Sequence, residues 1–142
     1  MDQRVSLITL AVHDIDRAAA FYAALGWAEV QHLNEGIVVF DLLGQSLGLY
    51  PRAKLAEDMG LREAELGHGA MTLSHNVESP AAADAIMAKA EAAGATVLSP
   101  AKEVFWGGYT GYFRDPEGHV WEVSHNPFSK LSPEGAFRWN GY

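Results

Sequence analysis

Hydrophobic and polar residues alternate over several short segments, and glycine, proline or asparagine residues separate most of these segments. A run rich in β-branched residues at 5–12 predicts a first strand. Further strands are predicted at 27–32, 36–42, 46–50, 70–76, 95–98, 108–114 and 119–125. Two alanine-rich segments, 15–25 and 81–93, predict helices, and the first has apolar residues at a spacing of three and four. The chain therefore repeats one order of elements twice: strand, helix, three strands.

The ends of both predicted helices carry recognisable signals. Asp14 or Asp16 can accept hydrogen bonds from the first free N–H groups of the first helix. Ser79 does the same for the second helix, and the proline that follows it suits the first helical position. Gly26 and Gly94 come where the chain must leave each helix.

The segment 109–126 predicts a hairpin with two distinct faces. Its centre, Asp-Pro-Glu-Gly at 115–118, has the residues that a type I turn favours. Strand side chains alternate, so Trp121 and Val123 share one face while Glu122 lies on the other with smaller residues. The first strand and the strand at 70–76 divide similarly. We expect helices to cover the large apolar faces and a small molecule to bind against the mixed faces.

Composition narrows the classes of function. A chain of 142 residues corresponds to one domain, and a net charge of −8 without basic runs argues against nucleic acid or an anionic membrane as partner. There is no cysteine, signal-like start or long apolar stretch, so we expect a cytoplasmic protein. Module one is predicted at about 5–52 and module two at about 68–126, joined by a linker at 53–67 with room for one short helix.

The segments 7–27 and 109–123 resemble the opening strand and helix and the closing hairpin of the vicinal oxygen chelate superfamily, which includes glyoxalase I, extradiol dioxygenases and bleomycin resistance proteins. The resemblance covers roughly residues 5–126. It implies an α+β fold: two βαβββ modules form a curved, mostly antiparallel eight-stranded sheet. A concave ligand cavity and helices on the convex face would follow.

The resemblance also implies where a divalent metal would bind. The corresponding positions fall on Leu7, Ala70, the segment 45–50 with only Gln45 to offer, and Glu122. One carboxylate does not hold a transition metal, so we expect no metal and no cofactor. The alternative is a shifted divalent-metal site that combines His13 or His75 with Glu122.

Glu122 is the candidate catalytic residue, as a carboxylate that orients or deprotonates a ligand. The predicted ligand-binding residues lie near the aromatic–glycine segment at 105–109, at the exit of module one and on the mixed strand faces. They are Trp106, Tyr112, Tyr50, Arg52, Thr9 and Thr72. The alternation of side chains along 109–113 is ambiguous. It leaves open whether Tyr112 or the pair Tyr109 and Phe113 faces the cavity. The alternative for each of these residues is a structural role. The aromatic residues would then pack in the core, and Glu122 would lie in solvent or pair with an arginine at the surface.

The first hypothesis from these features is a metal-free small-molecule binding protein of this superfamily. The alternative is a lyase, isomerase or dioxygenase that uses Glu122 or a metal. A structural dimer with an unused cavity is the third. The tail, 127–142, holds four aromatic residues without periodicity and is expected to lie on a surface of this chain or of a partner. We expect a homodimer.

Overall fold

A computed structural model describes residues 1, 3, 5–32, 36–67 and 71–142, and only the backbone of 31 and 32. The strands are β1 (Leu7–Val12), β2 (Gln31–His32), β3 (Val38–Leu42), β4 (Gln45–Pro51), β5 (Thr72–Val77), β6 (Thr96–Glu103), β7 (Tyr109–Arg114) and β8 (Val120–His125). The helices are α1 (Ile15–Leu25), α2 (Arg52–Met59) and α3 (Pro80–Ala92), with a 3₁₀ turn at Glu63–Glu65. The predicted order of elements is confirmed.

The chain divides into two compact units, Met1–His68 and Gly69–Tyr142. Each unit contains a four-stranded sheet, in the order β1-β4-β3-β2 in the first and β5-β8-β7-β6 in the second. In both sheets the first and last strands of the module pair in parallel, and the remaining pairs are antiparallel. The α+β class and the two βαβββ modules are confirmed, with the eight strands hydrogen-bonded as two sheets of four.

The helices begin and end where the sequence signals predict. Asp14 is the N-cap of α1, and its carboxylate accepts a hydrogen bond from the Arg17 amide at 3.0 Å. Ser79 caps α3 through the Ala82 amide at 3.1 Å. Gly26 ends α1 with a φ of 101°, a left-handed conformation that favours glycine. None of the described helices has the length and apolar content needed to cross a membrane.

The core of the first unit is aromatic. Tyr22 on α1 is fully buried, and its ring lies 5.2 Å from Trp27 and 5.7 Å from Phe40 on β3, measured between ring centroids. Leu47 and Leu49 on β4 complete this layer without exposure to solvent. Alternation along the strands thus places one side of the sheet against α1.

The second unit buries the predicted face of its hairpin. Trp121 and Val123 on β8 are 7% and 0% exposed, and the Trp121 ring stacks on Phe113 of β7 at 6.4 Å. On α3, Ala83 and Met87 are also buried, and the helix packs against β7 and β8. Glu122 therefore lies on the sheet face opposite the helix, as its parity predicts.

Two strands differ clearly from the predictions, whereas the linker contains a short helix, α2, as expected, and a 3₁₀ turn. The segment 27–32 forms only the two-residue strand β2. β6 extends through Pro100 to Glu103, because this strand lies at the sheet edge and its pairing with β7 shifts register around the proline. The predicted break at Asn34 and Glu35 and the strand start at Ala70 lie outside the described residues.

Candidate functional site

Three neighbouring strands of the second unit bring polar side chains into one row. The pairing between β5 and β8 places Ser74 opposite Glu122, and the pairing between β7 and β8 places Tyr112 opposite Glu122. Residues directly opposite each other in a sheet point to the same face. We call Ser74, Glu122 and Tyr112 the carboxylate row.

Both oxygens of the Glu122 carboxylate accept hydrogen bonds from this row. The Tyr112 hydroxyl donates to Oε2 at 2.6 Å, and the Ser74 hydroxyl donates to Oε1 at 3.1 Å. The first distance is typical of a short O–H···O⁻ bond to an ionised acceptor. Because the hydrogen bond to Glu122 favours the protonated phenol, with burial and the nearby negative charge adding to it, the pKa of Tyr112 is raised to about 12.

A cavity of about 740 Å³ adjoins the carboxylate row. Its size falls within the range of small-molecule sites, about 300–1,000 Å³. The lining combines one carboxylate with hydroxyl, amide and aromatic side chains: Ser74, Asn76, Trp106, Glu122, Ser124, Asn126, Phe128, Phe137, Trp139 and Asn140. Among these described lining residues, Glu122 is the single ionisable side chain.

The connection between β6 and β7 positions the Trp106 ring of the cavity. A Cβ atom on Gly108 would lie 1.9–2.5 Å from atoms of the Trp106 ring, so the indole occupies space that only glycine leaves free. The Val104 amide donates to the Gly108 carbonyl at 2.9 Å, and the Gly107 amide donates to the Val104 carbonyl at 2.9 Å. The glycine pair therefore lets the chain turn tightly beneath an aromatic ring.

The tail after β8 supplies the other aromatic rings. Phe137 and Trp139 pack edge to face with centroids 6.5 Å apart, and Trp139 is 81% exposed. Internal hydrogen bonds hold this segment in a loop: the buried Ser129 hydroxyl donates to the Arg138 carbonyl, and the Gly141 amide donates to the same carbonyl at 2.9 Å. The tail was expected on a surface of this chain or of a partner, and its aromatic residues line a cavity of the second unit of this chain.

A family model for the Glyoxalase/Bleomycin resistance protein/Dioxygenase superfamily matches residues 4–123. The chain belongs to this superfamily. The match runs from the first module into β8 of the second module and includes Glu122. The comparison with curated proteins gives no match.

Solved structures of the superfamily share the fold. A glyoxalase-related enzyme from Fulvimarina pelagi is 33% identical, with a TM-score of 0.90 over 98% of this chain and 99% of that chain. A lactoylglutathione lyase from Agrobacterium tumefaciens is 25% identical, with a TM-score of 0.70 over 89% of this chain and 96% of the other. A family protein from Burkholderia phytofirmans PsJN is 24% identical, with a TM-score of 0.76 over 84% and 96%.

The positions that the resemblance assigns to the superfamily's metal do not form a suitable donor set in this chain. Leu7 offers hydrocarbon only, Ala70 lies outside the described residues and has no donor side-chain atom, and Gln45 offers a neutral amide. Transition-metal sites use several imidazole, thiolate or carboxylate ligands. The described residues contain no group of three or more such side chains arranged to hold a metal ion.

The structure brings some of the predicted site residues together in the second unit. Glu122 and Trp106 line the cavity, and Tyr112 contacts Glu122. Phe113, the alternative to Tyr112, is buried on the opposite face of β7, and the Tyr109 hydroxyl donates to Asp84 on α3. Thr72 is exposed, pairs with Val120 and lies outside the cavity lining.

The other three predicted residues lie in the first unit. Thr9 pairs with Gly48 on the sheet face opposite α1. The Tyr50 hydroxyl hydrogen-bonds Asp58, which raises the pKa of the phenol. Arg52 is 8% exposed, and its guanidinium donates to the carbonyls of Leu66 at 2.7 Å and Glu63 at 3.3 Å.

Arg52 therefore has a structural role that the sequence analysis missed. Its hydrogen bonds tie α2 to the segment that follows, and its Nε lies 3.7 Å from the Glu63 carboxylate. Contact between Arg52 and an anionic ligand stays a prediction. The same holds for ligand contacts of Thr9, Tyr50 and Thr72.

Several lining residues were not among the predicted site residues. The two faces of the strand at 70–76 were predicted, but Ser74 on that strand was given no role. The tail rings Phe137 and Trp139 were assigned only to a surface. Aromatic density in a non-periodic tail was the available signal. The asparagines of the lining had no signal, because asparagine is common in ordinary turns.

Proposed function

We propose that this chain is a small-molecule binding protein whose ligand occupies the second-unit cavity and needs no metal. The observation that carries the proposal is the carboxylate row beside aromatic rings. Two hydroxyls hold Glu122 in one orientation, and the rings offer flat apolar surface. Ligand sites typically combine such apolar walls with a few oriented polar groups.

The ligand expected for this cavity is small and partly aromatic. Trp106, Phe128, Phe137 and Trp139 line the cavity, and two of them are strongly exposed: Phe128 at 73% and Trp139 at 81%. Covering these exposed rings with an aromatic ligand is favourable, by about 25 cal/mol for each Å² of apolar area removed from water.

The first test is calorimetric titration of chelator-stripped protein with Zn²⁺, Ni²⁺, Mn²⁺ and, anaerobically, Fe²⁺. We expect no stoichiometric binding, because Glu122 is the single carboxylate or imidazole donor among the metal positions that the resemblance implies. Binding at about micromolar affinity or better that disappears in Glu122→Ala would contradict the metal-free proposal.

The second test is a ligand-detected NMR screen of neutral and charged aromatic fragments against the whole chain. We expect hits whose binding weakens in Trp106→Ala. Phe105→Ala is the matched control, because Phe105 is the neighbouring residue, is fully exposed and lies outside the cavity lining. A screen without hits would reject the cavity as a ligand site. Hits whose affinity changes in neither variant would reject it as well.

The second candidate function is catalysis by Glu122 in a lyase, isomerase or dioxygenase reaction. The similarity to a glyoxalase-related enzyme at 33% identity over nearly all of both chains favours it. In this case Glu122 would accept a proton from the bound molecule. Time-resolved NMR of each screening hit separates the two functions: a binding protein leaves the hit unchanged, whereas an enzyme converts it and loses turnover in Glu122→Gln.

A homodimer and a cytoplasmic location complete the proposal. The exposed rings of Phe128 and Trp139 offer apolar surface that a second copy could cover. Sedimentation velocity at several concentrations tests this point. A single monomeric species at all concentrations would remove the dimer from the proposal.

A further inference from the structure

The described lining residues of the cavity carry one negative charge and no positive charge. Glu122 is the single ionisable side chain among its described lining residues, and the whole chain carries a net charge of −8. Arg114 lies on the same sheet face, where it pairs with Val120 one row away, but it is exposed and does not belong to the lining. No cation of the described residues lies within ion-pair distance of Glu122. An anionic ligand would meet repulsion here.

The Glu122 carboxylate also keeps acceptor capacity on both oxygens. A carboxylate offers about four lone-pair directions. Ser74 uses one direction on Oε1 and Tyr112 uses one on Oε2, and no further side chain of the described residues donates to this group. With respect to the described residues, one direction per oxygen is left. Two acceptors spaced in this way match the two parallel N–H donors of an amidinium or guanidinium.

The aromatic residues of the cavity favour the same kind of ligand. The indoles of Trp106 and Trp139 are partly exposed, at 39% and 81%. Tryptophan is the aromatic side chain that attracts a cation most strongly, and its flat face also stacks on another ring. The neutral amides of Asn76, Asn126 and Asn140 add hydrogen-bonding groups without adding positive charge.

We propose that the second-unit cavity selects aromatic monocations of the amidine or guanidine class. The two N–H donors of the cationic group would bind the Glu122 carboxylate, and the aromatic ring would stack on Trp106 or Trp139. This inference rests on the proposed function, because it names the ligand class of the same cavity. It differs from that function in requiring positive charge, which aromatic binding alone does not.

Benzamidine, benzamide and benzoate form a matched probe set, because they share a ring and a planar head group and differ in charge. We would titrate each into the ¹⁵N-labelled whole chain and follow the indole and backbone amide signals. Benzamidine is expected to bind at least about tenfold more tightly than benzamide, and benzoate more weakly than both. Raising the salt concentration should weaken benzamidine alone.

Two substitutions test the role of the carboxylate. Glu122→Gln should lower the affinity for benzamidine about tenfold and change that for benzamide less than about twofold. Glu122→Asp keeps the charge and should retain a preference for benzamidine. Thermal unfolding of each variant checks that the fold is intact, and Phe105→Ala serves as the control outside the lining.

The outcomes separate this inference from the proposed function. Equal binding of benzamide and benzamidine, or a benzamidine preference that survives in Glu122→Gln, would overturn the inference. Binding of benzamide but not benzamidine, weakened by Trp106→Ala, would reject the cation while leaving a small-molecule site. Absence of benzamidine binding also overturns the inference, and the broader fragment screen then decides the proposed function separately.

Discussion

The two units share a framework and differ in the chemistry placed on it. In each, the third residue of the first strand pairs with the last strand of the module, which pairs with the strand before it. In the first unit this row reads Thr9, Gly48 and Val39. In the second unit it reads Ser74, Glu122 and Tyr112.

This difference shows that strand topology places a row of side chains without dictating what the row does. Gly48 leaves the first unit without a side chain where the second unit has its carboxylate. The helix-side faces, by contrast, are alike: Leu47 and Leu49 in one unit and Val123 in the other are fully buried. Stability thus resides on the faces that match, and the candidate chemistry resides on the face that differs.

The largest expected effect concerns the matching faces. Phe40→Ala in the first unit and Trp121→Ala in the second should each lower the free energy of unfolding by about 3–5 kcal/mol, because both rings are buried. Glu122→Gln, on the differing face, should cost less than about 1 kcal/mol. Urea denaturation measures all three. A larger loss in Glu122→Gln than in Trp121→Ala would mean that the carboxylate row is primarily structural.

The next effect contrasts two glycines. A Cβ on Gly111 in β7 would lie 2.9 Å from the backbone N and Cα of Ala101, so Gly111→Ala must displace β6 and should cost about 1–3 kcal/mol. A Cβ on Gly48 would meet only side-chain atoms at 3.4–3.7 Å. Gly48→Ala should therefore be neutral or stabilise by up to about 1 kcal/mol. Denaturation curves of the pair check the sign, and a destabilised Gly48→Ala would show that the first-unit row is more tightly packed than these distances indicate.

The smallest expected effect is a titration within the carboxylate row. The Tyr112 pKa of about 12 lies above the ordinary value of 10.0, so the folded state holds this proton more tightly than the unfolded state. The stability from the hydrogen bond is then fully present below about pH 10 and is lost as pH rises through about 12. Glu122→Gln should return the Tyr112 pKa toward 10.

Ultraviolet difference titration of tyrosinate, with Tyr112→Phe to identify the signal, measures this change. Tyr109 is a control, because its pKa is raised by Asp84 and should not respond to Glu122→Gln. An unchanged Tyr112 titration in Glu122→Gln would contradict the hydrogen bond at the centre of the row.

Local signals predicted much of the fold. The Asp115 carbonyl accepts from the Gly118 amide at 3.0 Å, and its carboxylate accepts from Glu117 and His119, so the turn forms as its residues indicate. Strand parity placed Glu122 and Trp121 on opposite faces. Such features depend on residues within a few positions of each other, which makes them readable along the chain.

Features that depend on pairing between strands were not readable. Tyr112 could be chosen over Phe113 only once the register of β7 on β8 set it opposite Glu122. β6 runs past Pro100 because β7 pairs with it there. The structural role of Arg52 was not readable either, because its buried guanidinium donates to two backbone carbonyls more than ten residues away.

The sequence by itself determined the order of elements, the caps, the hairpin turn and the faces of the strands, because these follow from backbone preferences and the periodicities of helix and strand. Only the tertiary structure decided which hydroxyls hold Glu122 and which tail rings share its cavity. Ser74 and Glu122 are 48 positions apart. Contacts over that distance depend on strand register and on the path of the tail, which no local pattern encodes.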